Sequence, residues 1–243
     1  MIDPRKNIIK KRLKSIKKII AVSGGKGGIG KSITSTLTAL ILKDSGKKVG
    51  LLDMDFTSPS THIILGAKNL PFPEEEKGII PINLNGISYL SIVSYTKDNP
   101  TPLRGEDITN AILELFTITR WGELDYLILD LPPGIGDVLL ELLLLTKNIE
   151  FLLVTTPSSL SWQTFIKIVK LLKKQNIPII GAILNMVNNS SYGFEEKITS
   201  SGVKYLGKLK FYDDIEKYIG SPERLMKAKI TDDLREILIK NSI

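Results

Sequence analysis

The chain has 243 residues, of which 42% are hydrophobic and 24% charged, a balance typical of a globular protein large enough for one α/β domain. It contains no cysteine, which excludes disulfides, thiolate metal sites and cysteine nucleophiles. We find neither a secretory signal nor a run apolar enough to span a membrane, so we expect a cytoplasmic protein. The net charge is +7, and residues 1–18 account for all of it, with eight basic residues and one acid.

Residues 1–18 have the pattern of a basic amphipathic helix, which we treat as a separate N-terminal segment. Asp3 and Pro4 fit the start of a helix. Four apolar residues share one side of the helical wheel, with lysines on the other side: Ile8, Ile9, Leu13 and Ile16. Two interpretations are open. The helix either docks on the body through its apolar side or attaches the protein to an anionic membrane surface or to DNA.

A glycine-rich loop follows the apolar run at residues 19–22 and matches the phosphate-binding pattern G-x-x-x-x-G-K-[ST]. Glycines allow the backbone N–H groups to approach phosphate oxygens, and the helix that follows adds its positive end. In this pattern Lys31 reaches the β- and γ-phosphates, and the Ser32 hydroxyl binds Mg²⁺. The predicted nucleotide-binding residues of the loop are Gly25, Lys26, Gly27, Gly28, Ile29, Gly30, Lys31, Ser32 and Ile33.

Acidic residues end two of the predicted strands. Asp53 and Asp55 follow the buried strand at residues 49–52, and Asp130 ends the hydrophobic run at residues 126–129. Ligands bind at the carboxyl ends of the strands in open α/β sheets. A carboxylate buried at such a strand end without a cation is costly to keep ionised, which favours a magnesium-facing role for Asp130.

The remaining pattern alternates strands with helices. We expect a surface excursion at residues 68–86, strands at 87–93, 151–155 and 179–184, and helices at 106–119, 159–175 and 232–240. This alternation predicts an α/β fold with a doubly wound, mostly parallel sheet. We see no linker that divides the chain, so residues 19–243 are interpreted as one domain with the P-loop NTPase fold.

Three separated stretches together resemble one protein family. Residues 23–32, 51–60 and 125–137 are similar to the motifs of the Mrp/ApbC family, which belongs to the MinD/ParA group of P-loop ATPases with a deviant Walker A loop. Residues 104–105, 121–124 and the Gly181, Asn185 and Met186 element fit the same family. The resemblance covers most of residues 19–220 and does not include the basic N-terminal segment.

The resemblance implies a role for individual residues. Lys26 matches the signature lysine that crosses a dimer interface to the partner's nucleotide, which implies a homodimer that sandwiches two ATP molecules. Asp55 matches the acid that positions the attacking water, and Gly134 matches the glycine whose N–H senses the γ-phosphate. Asn185 matches the residue that hydrogen-bonds adenine. The implied catalytic residues are therefore Lys26, Lys31 and Asp55, and the implied magnesium residues are Ser32, Asp55 and Asp130.

One departure from the family concerns its metal cargo. Many relatives carry a Cys-x-x-Cys pair after the Asn-Met element, whereas residues 187–193 here contain asparagine, serine and no thiolate. We therefore expect an Mg-ATP-binding, slowly hydrolysing dimeric switch without its own iron–sulfur cluster. Its client is unknown, and iron–sulfur protein assembly is the pathway that the family implies. The alternative is a MinD/ParA-like positioning ATPase that attaches to membrane or DNA through residues 1–18.

Overall fold

The computed structural model describes residues 3–96, 105–145, 148–188 and 193–243. Ten strands are present in these ranges: β1 (Ile16–Gly24), β2 (Val49–Asp53), β3 (Glu74–Glu75), β4 (Ile79–Ile80), β5 (Ile82–Leu84), β6 (Ile87–Ser91), β7 (Leu124–Asp130), β8 (Ile149–Thr155), β9 (Ile179–Val187) and β10 (Tyr205–Lys210). The helices are α1 (Arg5–Leu13), α2 (Lys31–Asp44), α3 (Thr61–Ile64), α4 (Val93–Thr96), α5 (Glu106–Ile118), α6 (Asp137–Leu145), α7 (Ser159–Lys174), α8 (Phe194–Ser200), α9 (Pro222–Leu225) and α10 (Lys229–Lys240).

Eight strands form one sheet in the order β10-β9-β8-β1-β7-β2-β6-β5. All neighbours are parallel except β5, which runs antiparallel to β6 at the edge. The predicted doubly wound, mostly parallel sheet is confirmed. The surface excursion at residues 68–86 contains β3 and β4, which form a separate antiparallel pair, together with β5.

Helices cover both faces of the sheet, and successive residues of β1 point to opposite faces. Ile19 and Ala21 belong to the core beneath α1, α5, α6 and α7, whereas Ile20 and Val22 belong to the core beneath α2 and α10. A strand buried on both faces reads as a continuous apolar run, which is why this part of the sequence shows no alternation. Within the described ranges, no helix combines the length and the apolar composition needed to cross a bilayer.

The N-terminal helix is shorter than the sequence suggests. It ends at Leu13, and Ile16 to Lys18 belong to β1, so a boundary at residue 18 falls inside the first strand. The reason is strand pairing, because Ile16 lies in register with Leu124 of β7. The helix packs on the body through Ile9 and Leu13, which are buried in the same core as α5 and α6.

Polar contacts also tie α1 to the body. The Arg5 side chain donates to Asn110 Oδ1 at 3.3 Å, and Arg12 Nε donates to the Thr117 carbonyl at 3.3 Å. At the start of the helix, Asp3 Oδ1 accepts the Arg5 backbone N–H at 2.9 Å. Ile8 is 43% exposed, although it was expected on the packed side of the helix.

Candidate functional site

The glycine-rich loop joins the end of β1 to the start of α2 at the centre of the sheet. Gly28 (φ +74°) and Gly30 (φ +85°) are in the left-handed region, which side chains other than glycine adopt only with strain. A Cβ placed on Gly27 or Gly28 would meet no atom within 4 Å, so the backbone there faces open space. The first N–H groups of α2 have no intrahelical partner. The loop therefore presents an uncovered row of donors.

The Lys31 side chain lies inside this loop and is only 7% exposed. Its Nζ donates to the Lys26 carbonyl at 3.2 Å. Burial lowers the pKa of Lys31, and the negative charges of Asp130 and Asp55 oppose that shift. Ser32 and Ile33, the next residues of α2, are half-buried. The ammonium group of Lys31 therefore lies between the loop backbone and two acids, Asp130 at the end of β7 and Asp55 just after β2.

Asp130 is buried at the end of β7 and is only partly satisfied. Its Oδ1 accepts the Ser35 hydroxyl at 2.7 Å, whereas its buried Oδ2 has no hydrogen-bond partner in the described part of the chain. Burial, followed by the charge of Asp53, raises the pKa of Asp130 to about 7, against the Ser32 and Ser35 hydroxyls and Lys31, which lower it. An orphaned carboxylate oxygen in a buried site suits a cation or its bound water, so the residues fit Mg²⁺.

The two acids at the end of β2 differ in their surroundings. Asp53 is buried and accepts four hydrogen bonds, from the Asp55, Ser60 and Thr61 backbone N–H groups and from the Thr61 hydroxyl. Burial raises the pKa of Asp53, and these hydrogen bonds oppose the shift. Asp53 therefore organises the loop between β2 and α3.

Asp55 is half-buried at the mouth of the site. Its Oδ1 accepts the Thr57 hydroxyl at 2.7 Å and the Ser58 N–H at 3.0 Å. Its charge acts on Lys31. Of the two acids, Asp55 is the one accessible to a ligand in the loop.

Two further predicted residues contact the loop itself. The Asn185 side-chain amide, at the end of β9, is buried and donates to the Ile29 carbonyl at 2.8 Å. The same amide nitrogen lies 2.2 Å from where a Cβ on Gly30 would be, so a side chain at position 30 would displace Asn185. The Gly134 N–H donates to the Gly24 carbonyl at 3.0 Å, which ties the segment after β7 to the end of β1. The adenine contact of Asn185 and the phosphate contact of Gly134 stay predictions.

The rest of the predicted set falls into three groups. Gly25 is closely packed, because a Cβ there would lie 2.6 Å from Thr164 Cβ. Ile29 is buried, and Lys26 is exposed to solvent. Arg104 and residues 189–192, part of the segment in which the family resemblance implied a Cys-x-x-Cys pair, lie outside the described residues.

Sequence reasoning missed two hydroxyl residues of the site. Ser35 binds Asp130, and it lies one helical turn beyond Lys31, a spacing that puts both on one side of α2. Thr61 binds Asp53, and its hydroxyl also forms a hydrogen bond with the Tyr89 hydroxyl at 2.9 Å. The helical spacing could have found Ser35, whereas nothing in the sequence marks Thr61.

Comparison with known proteins gives close relatives. An iron–sulfur cluster carrier protein from Pseudomonas fragi is 37% identical over 195 residues, covering 78% of this chain and 68% of the relative. A protein of the same name from Methanocaldococcus jannaschii is 34% identical and covers 95% of this chain and 86% of the relative. The chain spans about half the length of other relatives, such as 50% of the carrier protein from Aquifex aeolicus.

Solved structures with the same fold include nucleotide-binding proteins. A nucleotide-binding protein in complex with ADP from Archaeoglobus fulgidus superimposes with a TM-score of 0.78 at 27% identity, covering 94% of this chain and 96% of that one. MinD from Pyrococcus horikoshii, solved with Mg-ADP, has a TM-score of 0.68 at 20% identity over 92% of this chain and 95% of that one, which shows the shared fold. The family model described as ParA, the NUBPL iron-transfer P-loop NTPase, matches residues 15–238. The chain therefore belongs to the ParA/NUBPL family of iron-transfer P-loop NTPases, which confirms the resemblance to the Mrp/ApbC family.

Proposed function

We propose that this protein is a cytoplasmic ATPase whose Mg-ATP-bound form is a homodimer and whose slow hydrolysis ends that state. The observation that carries the proposal is the buried, partly unsatisfied Asp130 beside Lys31 and an open glycine-rich backbone. A buried acid and a buried lysine at a phosphate loop are costly unless a ligand uses them. A triphosphate with its divalent cation satisfies both.

The chain's own residues divide the work in this proposal. The N–H groups around Gly27 and Gly28 bind phosphate oxygens, and Lys31 neutralises their charge. Ser32 and Asp130 would hold Mg²⁺, with Asp55 on the accessible side, and the ion would supply further charge neutralisation at the phosphates. Asp55 orients the attacking water, since it is the carboxylate that is open to the mouth of the site.

The homodimer part of the proposal depends on Lys26. Lys26 is exposed to solvent, as a residue that contacts a second copy must be. A cation placed opposite the γ-phosphate stabilises negative charge in the transition state, as an arginine finger does. The Gly134 N–H is engaged by Gly24, so its contact with a γ-phosphate requires that this bond opens. Opening it links the segment before α6 to the nucleotide state.

The pathway is proposed from the relatives, which are named iron–sulfur cluster carrier proteins. This chain has no cysteine, and oxygen and amide ligands do not replace thiolates at such clusters. We therefore propose that it acts in iron–sulfur protein assembly on an unidentified client that supplies the cysteines. Anaerobic incubation with iron and sulfide checks this point: we expect no cluster absorption from the protein alone, and a stable cluster on it would contradict the proposal.

Attachment to a membrane or to DNA through residues 1–18 is the alternative, and the packing of α1 weighs against it. Membrane insertion needs a free apolar side of the helix, whereas Ile9 and Leu13 are buried against the body. Lysines are the most numerous exposed residues of the segment, and Ile8 is its one large apolar side chain that is exposed in the described range, at 43%. The dimeric switch is therefore preferred over a positioning role.

ATP titration calorimetry and phosphate release test the nucleotide chemistry. We expect Lys31→Ala to abolish ATP binding, because the loop loses its buried cation. Lys43→Ala is the matched control at the other end of α2, and it should bind ATP like the wild type. Retained binding by Lys31→Ala would show that the loop is not the phosphate site. A wild-type protein that binds ATP and releases no phosphate would refute the ATPase assignment alone.

A further inference from the structure

A concave surface lies at the opposite edge of the sheet from the glycine-rich loop. It is a groove of about 730 Å³ between the ends of α1 and α6 and the starts of β1 and β8, with Pro178 at one side. The glycine-rich loop follows the other end of β1, roughly 25 Å away, because each residue of a strand advances the chain by about 3.3 Å. The volume is within the range of sites that bind ligands or a few side chains.

The groove has an apolar base and one exposed apolar side chain. Leu13, Ile16 and Leu145 line it and are almost fully buried, so they form a packed base. Leu144, the neighbouring residue on α6, is 68% exposed. A large exposed leucine beside a concave apolar base resembles the centre of a binding surface rather than a scattered surface residue.

Positive charge surrounds this base. Four lysines line the groove against one acid, Glu150. Two of the lysines are already paired: Lys17 with Asp125 at 2.7 Å and Lys18 with Glu150 at 2.9 Å. Lys10 and Lys14 form no ion pair within the described part of the chain. They are four residues apart on α1, and both are exposed. The unpaired positive charge therefore lies on one wall of the groove.

We propose that this groove docks a short acidic segment of a partner protein, with apolar side chains against Leu144 and the base and carboxylates on Lys10 and Lys14. The charge complementarity is one-sided, which suits a segment that has acids along one flank. A membrane surface fits less well, because a plane does not reach the base of a concave groove. The docking site adds a partner surface that does not depend on the proposed ATPase function.

Fluorescence anisotropy with labelled peptides tests the docking site. The probe is a peptide of about eight residues that alternates leucine and glutamate, long enough to span the groove in extended form. One control peptide has lysine in place of glutamate, and another has serine in place of leucine. We expect saturable binding of the leucine-glutamate peptide and much weaker binding of both controls.

Variants locate the binding on the protein. The double variant Lys10→Glu and Lys14→Glu should weaken peptide binding about tenfold, because both attractive charges become repulsive. Leu144→Ser should weaken it several-fold and, since the residue is exposed, should fold normally. The matched control is Lys170→Glu with Lys174→Glu, an exposed pair of the same spacing on α7, which should bind like the wild type.

The outcomes separate this proposal from the ATPase proposal. All these variants should bind ATP like the wild type, because the groove and the nucleotide site lie at opposite edges. Peptide binding that is absent, or equally weakened in the α7 control, would overturn the docking site and leave the ATPase proposal intact. A protein that does not bind the peptide but sediments with phosphatidylserine vesicles, and loses that sedimentation in the α1 double variant, would overturn the docking site in favour of a membrane surface.

Discussion

The two acids at the end of β2 should respond differently to removal, one through folding and the other through chemistry. Asp53→Ala removes a buried acceptor of four hydrogen bonds and leaves the Ser60 and Thr61 N–H groups without their partner. Asp55→Ala removes contacts only to an exposed turn at Thr57 and Ser58. We expect the first to destabilise the protein and the second to leave its stability nearly unchanged.

The magnitude follows from the hydrogen bonds of Asp53. At about 1 kcal/mol net for each of four bonds, Asp53→Ala should lower the free energy of unfolding by about 4 kcal/mol. Burial raises the pKa of Asp53, which means that the folded protein bears a cost for burying this charge. Removing the carboxylate removes that cost and reduces the loss of stability somewhat. For a chain of this size the change corresponds to a Tm lower by roughly 8–16 °C. Asp53→Asn keeps one acceptor oxygen and should fall between wild type and alanine.

Urea unfolding followed by circular dichroism measures these differences, with phosphate release as the second readout. Asp55→Ala should unfold within about 0.5 kcal/mol of the wild type, as surface substitutions do, while it loses phosphate release. The division of roles would be refuted if Asp53→Ala were as stable as the wild type. It would also be refuted if Asp55→Ala were the more destabilised of the two.

Three other predictions concern the loop, the buried acid and the N-terminal helix. Gly30→Ala should abolish ATP binding in calorimetry, because its Cβ would lie 2.2 Å from the Asn185 amide at a φ of +85°. The loss of affinity should be smaller when Asn185→Ala is already present, and losses that simply add would refute the coupling between the two residues. Asp130 has a pKa of about 7 in the folded protein, against an ordinary value of 3.8, so without magnesium the native state keeps a proton that the unfolded chain releases. The free energy of unfolding should therefore fall as pH rises between these two values. Asp130→Asn should be more stable than the wild type by up to about 4 kcal/mol at pH 8. A difference that is the same at all pH values would show that Asp130 does not have the raised pKa. Ile9→Ala should cost about 3 kcal/mol in urea unfolding and the neighbouring Ile8→Ala under about 0.5, whereas equal costs would contradict the docked helix.

The positions of the glycine-rich loop and of the strand-end acids were predictable because each is a local pattern. The glycines, Lys31 and Ser32 occur at fixed spacings, and parallel strands bring their carboxyl ends to one edge. The strand order was not predictable, since β7 lies between β1 and β2 through pairings between residues that are 108 and 77 positions apart. Such pairings are decided by packing over the whole sheet.

The N-terminal segment shows how tertiary structure overrides a helical pattern. Residues up to Lys18 fit a helical wheel, yet Ile16 pairs with Leu124 and starts β1. The two acids of β2 were likewise indistinguishable in sequence, because burial separates Asp53 from Asp55 and burial depends on the loop that covers them. Ser35 was missed because a serine inside a helix carries no motif of its own.

Light scattering after size-exclusion chromatography tests the central claim most directly, with ADP or Mg-ATP added to each protein. We expect monomers with ADP, a dimer with Mg-ATP, and a longer-lived dimer for Asp55→Ala, which binds and does not hydrolyse. Lys26→Ala should stay monomeric with Mg-ATP, whereas Lys227→Ala, an exposed lysine far along the chain, should dimerise like the wild type. A wild-type protein that binds ATP and stays monomeric, or a Lys26→Ala variant that dimerises normally, would contradict the dimeric switch.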